Sequence, residues 1–411
     1  MKYICTVPWV GFSNDPDGRI RACCISKDHV TKEDGTPYYT QNDNIKDIFH
    51  SEYMNNLRQD FLDGKQPKNC EVCWKDEANG YTSKRQHYNQ IIKEYLGEYA
   101  TPEVITSQVA EYPFDFQVIL TNACNLKCRS CGSSHSTEWY KELKTMPEED
   151  VHGIRNYLYP LPHGQAGDRN GEFISSMEDW LPFVKRIEIV GGEPFYTKNW
   201  ENAWNFMIDK GKAKDIILNM STNATICNEP LVRKIAENFK RVGIGLSVDG
   251  MGKTFEYLRK NGTWNDVEKN ILKFNEIHKD YKKHNKIFFN YTYTTSWINS
   301  WELPEFYDWV KKYTPDFRLW PNIIHAPEHM CMYMLPKETK DNIKDKWMNY
   351  DWGRHQSDIE GMISFMYSKQ PSDNELREVY KRFTILDKYR KESTFDVVKD
   401  FYPELDKYFN E

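Results

Sequence analysis

Three thiols crowd one short stretch of this chain. Cys124, Cys128 and Cys131 all fall within LTNACNLKCRSCG, residues 120–132, at the end of the apolar run FDFQVIL. A buried free cysteine ordinarily behaves as a small hydrophobe, but thiols this dense, interleaved with Asn125, Lys127 and Arg129, do not read as core. Two metal chemistries fit the spacing. Zinc held by three cysteines and a histidine is one, because His135 follows Cys131 by four residues and could complete a tetrahedron. An iron–sulfur cube is the other. It normally takes four thiolates, so a trio leaves one iron with an open position for a small molecule.

A second group lies near the N-terminus: Cys5, the adjacent Cys23 and Cys24, and CEVC with Cys70 and Cys73. Separated cysteine pairs make a closed site of four thiolates, which suits a zinc ribbon or an iron–sulfur cluster. Cys227 and Cys331 stand alone and read as buried packing. In a reducing compartment such clustering favours metal ligation over disulfides.

The elements that must position these thiols follow from periodicity. Residues 1–90 hold the first cysteine group and a segment, IKDIFHSEYMNNLRQDFLDGK, with Ile48, Phe49, Met54, Leu57, Phe61 and Leu62 at roughly helical spacing. From about residue 115, short β-branched runs alternate with amphipathic stretches, the pattern of strand and helix units around a parallel sheet. Six strands are expected: FQVIL at 116–120, RIEIV at 186–190, DIILNM at 215–220, VGIGLSV at 242–248, KIFFNYTY at 286–293 and FRLWPNII at 317–324. Between them, EPLVRKIAENFKR aligns Leu231, Val232, Ile235, Ala236 and Phe239 as one apolar stripe, with Pro230 near its start. Beyond residue 326 the strand signal ends, and polar helices form what reads as an accessory tail. The expected units are thus 1–90, 115–325 and 326–411. The fold class is α/β, either an open doubly wound sheet or a partial barrel, and both place ligands beyond the carboxyl ends of the strands.

Composition narrows the function classes. The chain has 411 residues, 39% hydrophobic and 15% aromatic, an ordinary globular balance that can bury a core. A net charge of -6 gives no general attraction to phosphate backbones, so nucleic acid is not an expected partner. No apolar run reaches membrane-spanning length, and MKYICTVPWVGF is too polar and proline-broken for a signal peptide, so a cytoplasmic protein is expected.

Past the expected strand ends lie the three cysteines, then GGEPF, STNA and DG. In that order these groups resemble the radical S-adenosylmethionine (SAM) superfamily over residues 115–325. The resemblance implies a partial (β/α)6 barrel, a 4Fe-4S cluster on Cys124, Cys128 and Cys131, and SAM chelated at the fourth iron and cleaved to a 5'-deoxyadenosyl radical. GGEP, Gly191, Gly192, Glu193 and Pro194, is similar to the motif that holds the methionine amino group. Glycines allow close backbone approach, and Glu193 offers an acceptor for an ammonium. Ser221 and Asn223 of STNA, and Ser247 and Asp249 of SVDG, resemble the family's third and fourth strand ends, where they suit ribose hydroxyls and the methionine end of SAM. Each could equally cap a loop. Arg259 resembles an arginine that some relatives direct at the SAM carboxylate. The residue before the last cysteine, commonly aromatic in the family, is Ser130.

The N-terminal spacing, Cys5 to Gly18 to Cys23, resembles the opening element of SPASM and twitch domains, cysteine-rich extensions that bind auxiliary 4Fe-4S clusters. With Cys70 and Cys73 the ligands suffice for one cluster, with Cys24 as the alternative to Cys23. Relatives with such extensions often modify peptides. The resemblance therefore implies a radical SAM enzyme acting on a peptide or small molecule and served by a reducing partner such as flavodoxin or ferredoxin, with no catalytic residue assignable from sequence. The competing reading is a non-catalytic, zinc-stabilised binding module.

Overall fold

The alternation of β-branched runs with amphipathic stretches is realised as a predominantly parallel sheet with helical crossovers. The computed structural model describes residues 3–78, 82–154 and 172–409. In chain order the strands are β1 (Gly11–Asn14), β2 (Ile20–Arg21), β3 (Asp115–Val118), β4 (Lys127–Cys128), β5 (Arg186–Ile189), β6 (Ile217–Thr222), β7 (Arg241–Ser247), β8 (Arg259–Lys260), β9 (Ile287–Thr295) and β10 (Arg318–Ile323). Eight of them form one sheet in the order β10-β9-β7-β6-β5-β3-β1-β2, and β4 pairs with β8 in a separate two-stranded ribbon. The six expected strands are present, mutually parallel and in chain sequence.

The N-terminal region joins this sheet. β1 runs parallel to β3, and β2 returns antiparallel on its outer edge. β3 stops at Val118, two residues before the expected end, because the Asn14 amide takes over the next peptide: Ile119 N donates to Asn14 Oδ1 at 2.9 Å, and Asn14 Nδ2 donates to Ile119 O at 3.0 Å. A buried ion pair reinforces the seam. Arg186 and Asp115 are register partners on β5 and β3, and Arg186 Nη1 donates to Asp115 Oδ1 at 2.8 Å and to the Tyr88 hydroxyl at 2.9 Å. Tyr88 belongs to the helix Lys84–Leu96, so that helix is fixed against the sheet.

Helices follow their apolar stripes. Leu231, Val232, Ile235 and Ala236 are buried on the helix Glu229–Asn238, which Asn228 caps by accepting from Leu231 N. The segment expected as one helix after residue 45 is two, Ile45–Phe49 and Glu52–Leu62, because Ser51 caps the second by accepting from Met54 N. Its apolar residues point inward except Leu62, which is exposed. Of the two solitary cysteines, Cys331 is buried and Cys227 half-buried. Beyond β10 come the helices Lys337–Met348, Gln356–Met366, Asp373–Arg390 and Thr394–Val398. Trp347, Trp352, Tyr380 and Tyr402 from this region are fully buried in the main core, so the tail is not accessory in packing. Among the described residues, no helix is long and apolar enough to cross a membrane.

Glu302 ties the helix that follows it to the helix Gly252–Leu258, which carries Thr254. It precedes the helix Leu303–Tyr313, and its Oε1 accepts from Thr254 Oγ1 at 2.8 Å. Burial pushes its carboxyl from 4.5 up to about 7, with Glu305 adding in the same direction and the Thr254 bond opposing. A folded pKa above the unfolded one means that this group stabilises the fold most below pH 4.5 and loses that contribution as pH rises through 7. Glu302→Gln should therefore flatten the decline of stability over that window and raise stability at pH 8 by on the order of 1–3 kcal/mol. Urea titrations of both proteins at pH 5 and pH 8 check this; parallel pH dependences would refute it.

Candidate functional site

The loop that leaves β3 carries the three thiols to the carboxyl end of the sheet, and a two-residue ribbon sets their position. β4 pairs with β8 so that Cys128 faces Arg259 and Lys127 faces Lys260. Arg129 N donates to Leu258 O at 2.8 Å on the same seam. Cys124 is buried, and Cys128 and Cys131 are half-buried. All three line a cavity of ≈ 650 Å³.

The other walls come from the ends of neighbouring strands. Val190, Gly191, Gly192 and Glu193 follow β5; Ser221 and Thr222 end β6 and Asn223 follows it; Ser247 ends β7; Arg259 opens β8. Gly191 and Gly192 adopt φ of 79° and 59°, which favours glycine. Proximity adds a second demand, since a Cβ on Gly192 would lie 2.6 Å from Ala123 O and 2.8 Å from Thr121 O. The two loops are thus packed backbone to backbone.

Glu193 is buried behind that contact. Its Oε1 accepts from Thr222 Oγ1 at 2.7 Å and from Phe195 N at 3.2 Å, and its Oε2 accepts from Asn223 N at 2.7 Å. Burial raises its carboxyl to about 7 against the pull of those donors. Glu193 consequently braces the ends of β5 and β6 while still bordering the cavity. Asn223 extends the brace to the cysteine loop: its Nδ2 donates to Asn125 Oδ1 at 3.0 Å and lies 3.8 Å from Cys124 Sγ.

Arg259 is held by Asp249, Nη2 to Oδ2 at 2.7 Å, and its Nη1 lies 3.7 Å from Cys128 Sγ. The other Asp249 oxygen accepts from Thr294 N at 3.0 Å. Of the residues singled out from sequence for this site, Asp249 and Pro194 are buried outside the cavity lining, and the remaining ones border it. Thr294, Ile323, Ile324, His325 and Ala326 also line it, and sequence reasoning missed them. The rule that ligands gather at strand carboxyl ends could have found Thr294 and His325, since they end β9 and follow β10. His135 is exposed at the rim, its Nδ1 2.8 Å from Ser134 Oγ.

Cys5, Cys23, Cys70 and Cys73 line a second, enclosed and largely apolar cavity with Phe61, Lys84 and Arg85. Cys24 lies outside that lining and receives Lys84 Nζ at 2.8 Å.

Burial pushes the Cys23 and Cys70 thiols up to about 12, and Cys5 and Cys73 are raised as well. At the first cavity burial also raises Cys124, and it lifts Cys128 to about 12 although Arg259 opposes it. Thiols that burial keeps protonated ionise when a cation is bound beside them. Among the described residues, no three His, Cys, Asp or Glu side chains are gathered as ligands of a single ion.

Residues 118–292 match the family model of the Radical SAM superfamily. A curated relative, the GTP 3',8-cyclase of Syntrophomonas wolfei, is 25% identical over 173 residues, covering 39% of this chain and 42% of that protein, less than half its length. Among solved structures, histidine-tagged anSMEcpe with bound AdoMet aligns over 57% of this chain and 58% of its own at 19% identity and a TM-score of 0.40. Streptococcus suis SuiB bound to precursor peptide SuiA aligns over 96% of this chain and 75% of its own, at 14% identity and a TM-score of 0.32.

Gly192→Ala tests the packing of the two loops. Backbone oxygens stand where the methyl would go and φ is left-handed, so the variant should lose about 1–3 kcal/mol of stability. A urea midpoint equal to that of the wild type would show that the loops are not in contact.

Proposed function

We propose that this chain is a radical SAM enzyme built on a partial barrel, with a 4Fe-4S cluster on Cys124, Cys128 and Cys131 and an auxiliary cluster on Cys5, Cys23, Cys70 and Cys73. The observation that carries the reading is convergence: a trio of thiols, a left-handed glycine pair and the polar ends of β6, β7 and β8 border one cavity. When bound, the cluster and SAM supply a 5'-deoxyadenosyl radical that takes a hydrogen atom from the substrate.

The chain's own residues prepare that cavity. Leu126 N, at 3.4 Å, and Asn223 Nδ2 approach Cys124 Sγ, while Arg259 approaches Cys128 Sγ, so these two sulfurs gain donors that favour their ionised forms. Gly191 and Gly192 leave backbone accessible to an amino acid end, and Arg259 offers a guanidinium for its carboxylate. Ser221 and Ser247 supply hydroxyls at the wall for a ribose.

The second thiol group is closed by four cysteines, which suits electron transfer rather than substrate binding. Flavodoxin or ferredoxin is the class of reductant we assign. The resemblance of the N-terminal cysteine spacing to extensions found in peptide-modifying relatives makes a peptide or protein side chain the substrate class we favour.

Anaerobic reconstitution with iron and sulfide, followed by SAM and dithionite, tests the reading. Wild type should hold about eight irons per chain and release 5'-deoxyadenosine. Replacing Cys124, Cys128 and Cys131 by Ala should leave about four irons and less than about 1% of the product. Stoichiometric zinc in place of iron, with no 5'-deoxyadenosine, would overturn it.

A further inference from the structure

The cysteine loop is gripped from behind by the C-terminal region. Arg129, between Cys128 and Cys131, has an almost wholly buried side chain. Its Nη2 pairs with Asp387 Oδ1 at 2.5 Å and with Glu392 Oε2 at 2.7 Å, and its guanidinium lies 3.7 Å from the centre of the Tyr257 ring. Asp387 stands on the helix Asp373–Arg390 and is itself fixed by Thr394 N at 2.6 Å. Lys391 ends that helix at a left-handed φ of 53°, and the Glu392 that follows reaches Lys260 as well as Arg129.

A second contact lies one step along the loop. Arg390, fully buried, pairs with Glu142 Oε2 at 2.7 Å and lies 4.6 Å above the Trp139 ring. Trp139 Nε1 in turn donates to Cys128 O at 2.7 Å. Cys131 packs against the apolar cluster that contains Trp139 and Leu386 of the same helix. Four cations, Lys127, Arg129, Lys260 and Arg390, here meet three carboxylates, Glu142, Asp387 and Glu392. The surplus charge is positive and lies directly behind sulfurs that must become anionic to bind metal.

We infer that the C-terminal helix is part of the cofactor site: Asp387 and Arg390 are positioning residues that fix the cysteine loop and set the electrostatic field at a cluster bound there. The inference rests on the functional reading above. In a buried region a nearby positive charge favours the reduced cluster, and a nearby negative charge disfavours it.

The test is potentiometric titration, followed by EPR, of the SAM-site cluster in the reconstituted full chain. Arg390→Gln should make reduction at least about tenfold less favourable, a shift of about 59 mV to more negative potential for one electron. Asp387→Asn should shift it the opposite way, because Arg129 is then less compensated. Damage to the fold alone would not reverse sign between the two variants. Unchanged potentials, or shifts of the same sign, would overturn the inference. Arg390→Lys covers the case in which a neutral variant fails to fold: it should keep wild-type iron and potential, and a Lys variant as defective as Arg390→Gln would also overturn it. Wild type that takes up no cluster would refute the functional reading, whereas wild type with a cluster and insensitive variants refutes only the role of the helix.

Discussion

A guanidinium buried at the mouth of a sheet must be answered by a carboxylate, and the pairing of Arg259 with Asp249 is the interaction on which the site depends. Asp249 follows β7 and also accepts from Thr294 on β9, so one side chain ties two strand ends together. Arg259 is the register partner of Cys128. Through this pair the position of a sulfur atom is referred to the middle of the parallel sheet, not to its own loop alone. Removing either partner would strand a buried charge, which generally costs more than a surface ion pair contributes.

Contact of the same closeness recurs at the glycine pair. Thr121 O and Ala123 O approach Gly192 too closely for any side chain, and Ala123 O also accepts from Glu193 N at 2.9 Å. Glu193 then reaches across to Thr222 and Asn223, and Asn223 returns to Asn125. The ends of β3, β5 and β6 therefore form a closed circuit of hydrogen bonds around Cys124. A loop inside such a circuit keeps its shape before any ligand arrives, which is the meaning of preorganisation for a cofactor site.

How much of this is legible in the sequence depends on the range of the interaction. The six strands announce themselves by local periodicity, and the glycines and cysteines by their types. The break at Ser51 is a local capping signal that continuous helical spacing conceals. What sequence cannot show is long-range. GFSN is too short and polar to read as a strand, and β1 is held by Asn14 reaching a peptide 105 residues away. Arg129 and Asp387 are separated by 258 residues, and nothing in the local pattern of either marks the pairing. Asp249 reads as a candidate ligand contact, yet its charge is directed at Arg259, because a buried acid finds the nearest buried base.

The two thiol groups differ in a way that chemistry can use. The quartet Cys5, Cys23, Cys70 and Cys73 faces an enclosed, largely apolar cavity, with Lys84 and Arg85 as its cationic neighbours. The trio faces a roomy cavity bordered by serine hydroxyls, an asparagine and Arg259. A group that only exchanges electrons gains from full ligation and exclusion of water, whereas one that must bind a second molecule needs a free coordination position and polar walls to orient the guest. β1 follows closely on Cys5 and pairs with β3, whose own continuation carries Cys124, so the strand pairing that extends the sheet also couples the mounting of the closed group to that of the open one.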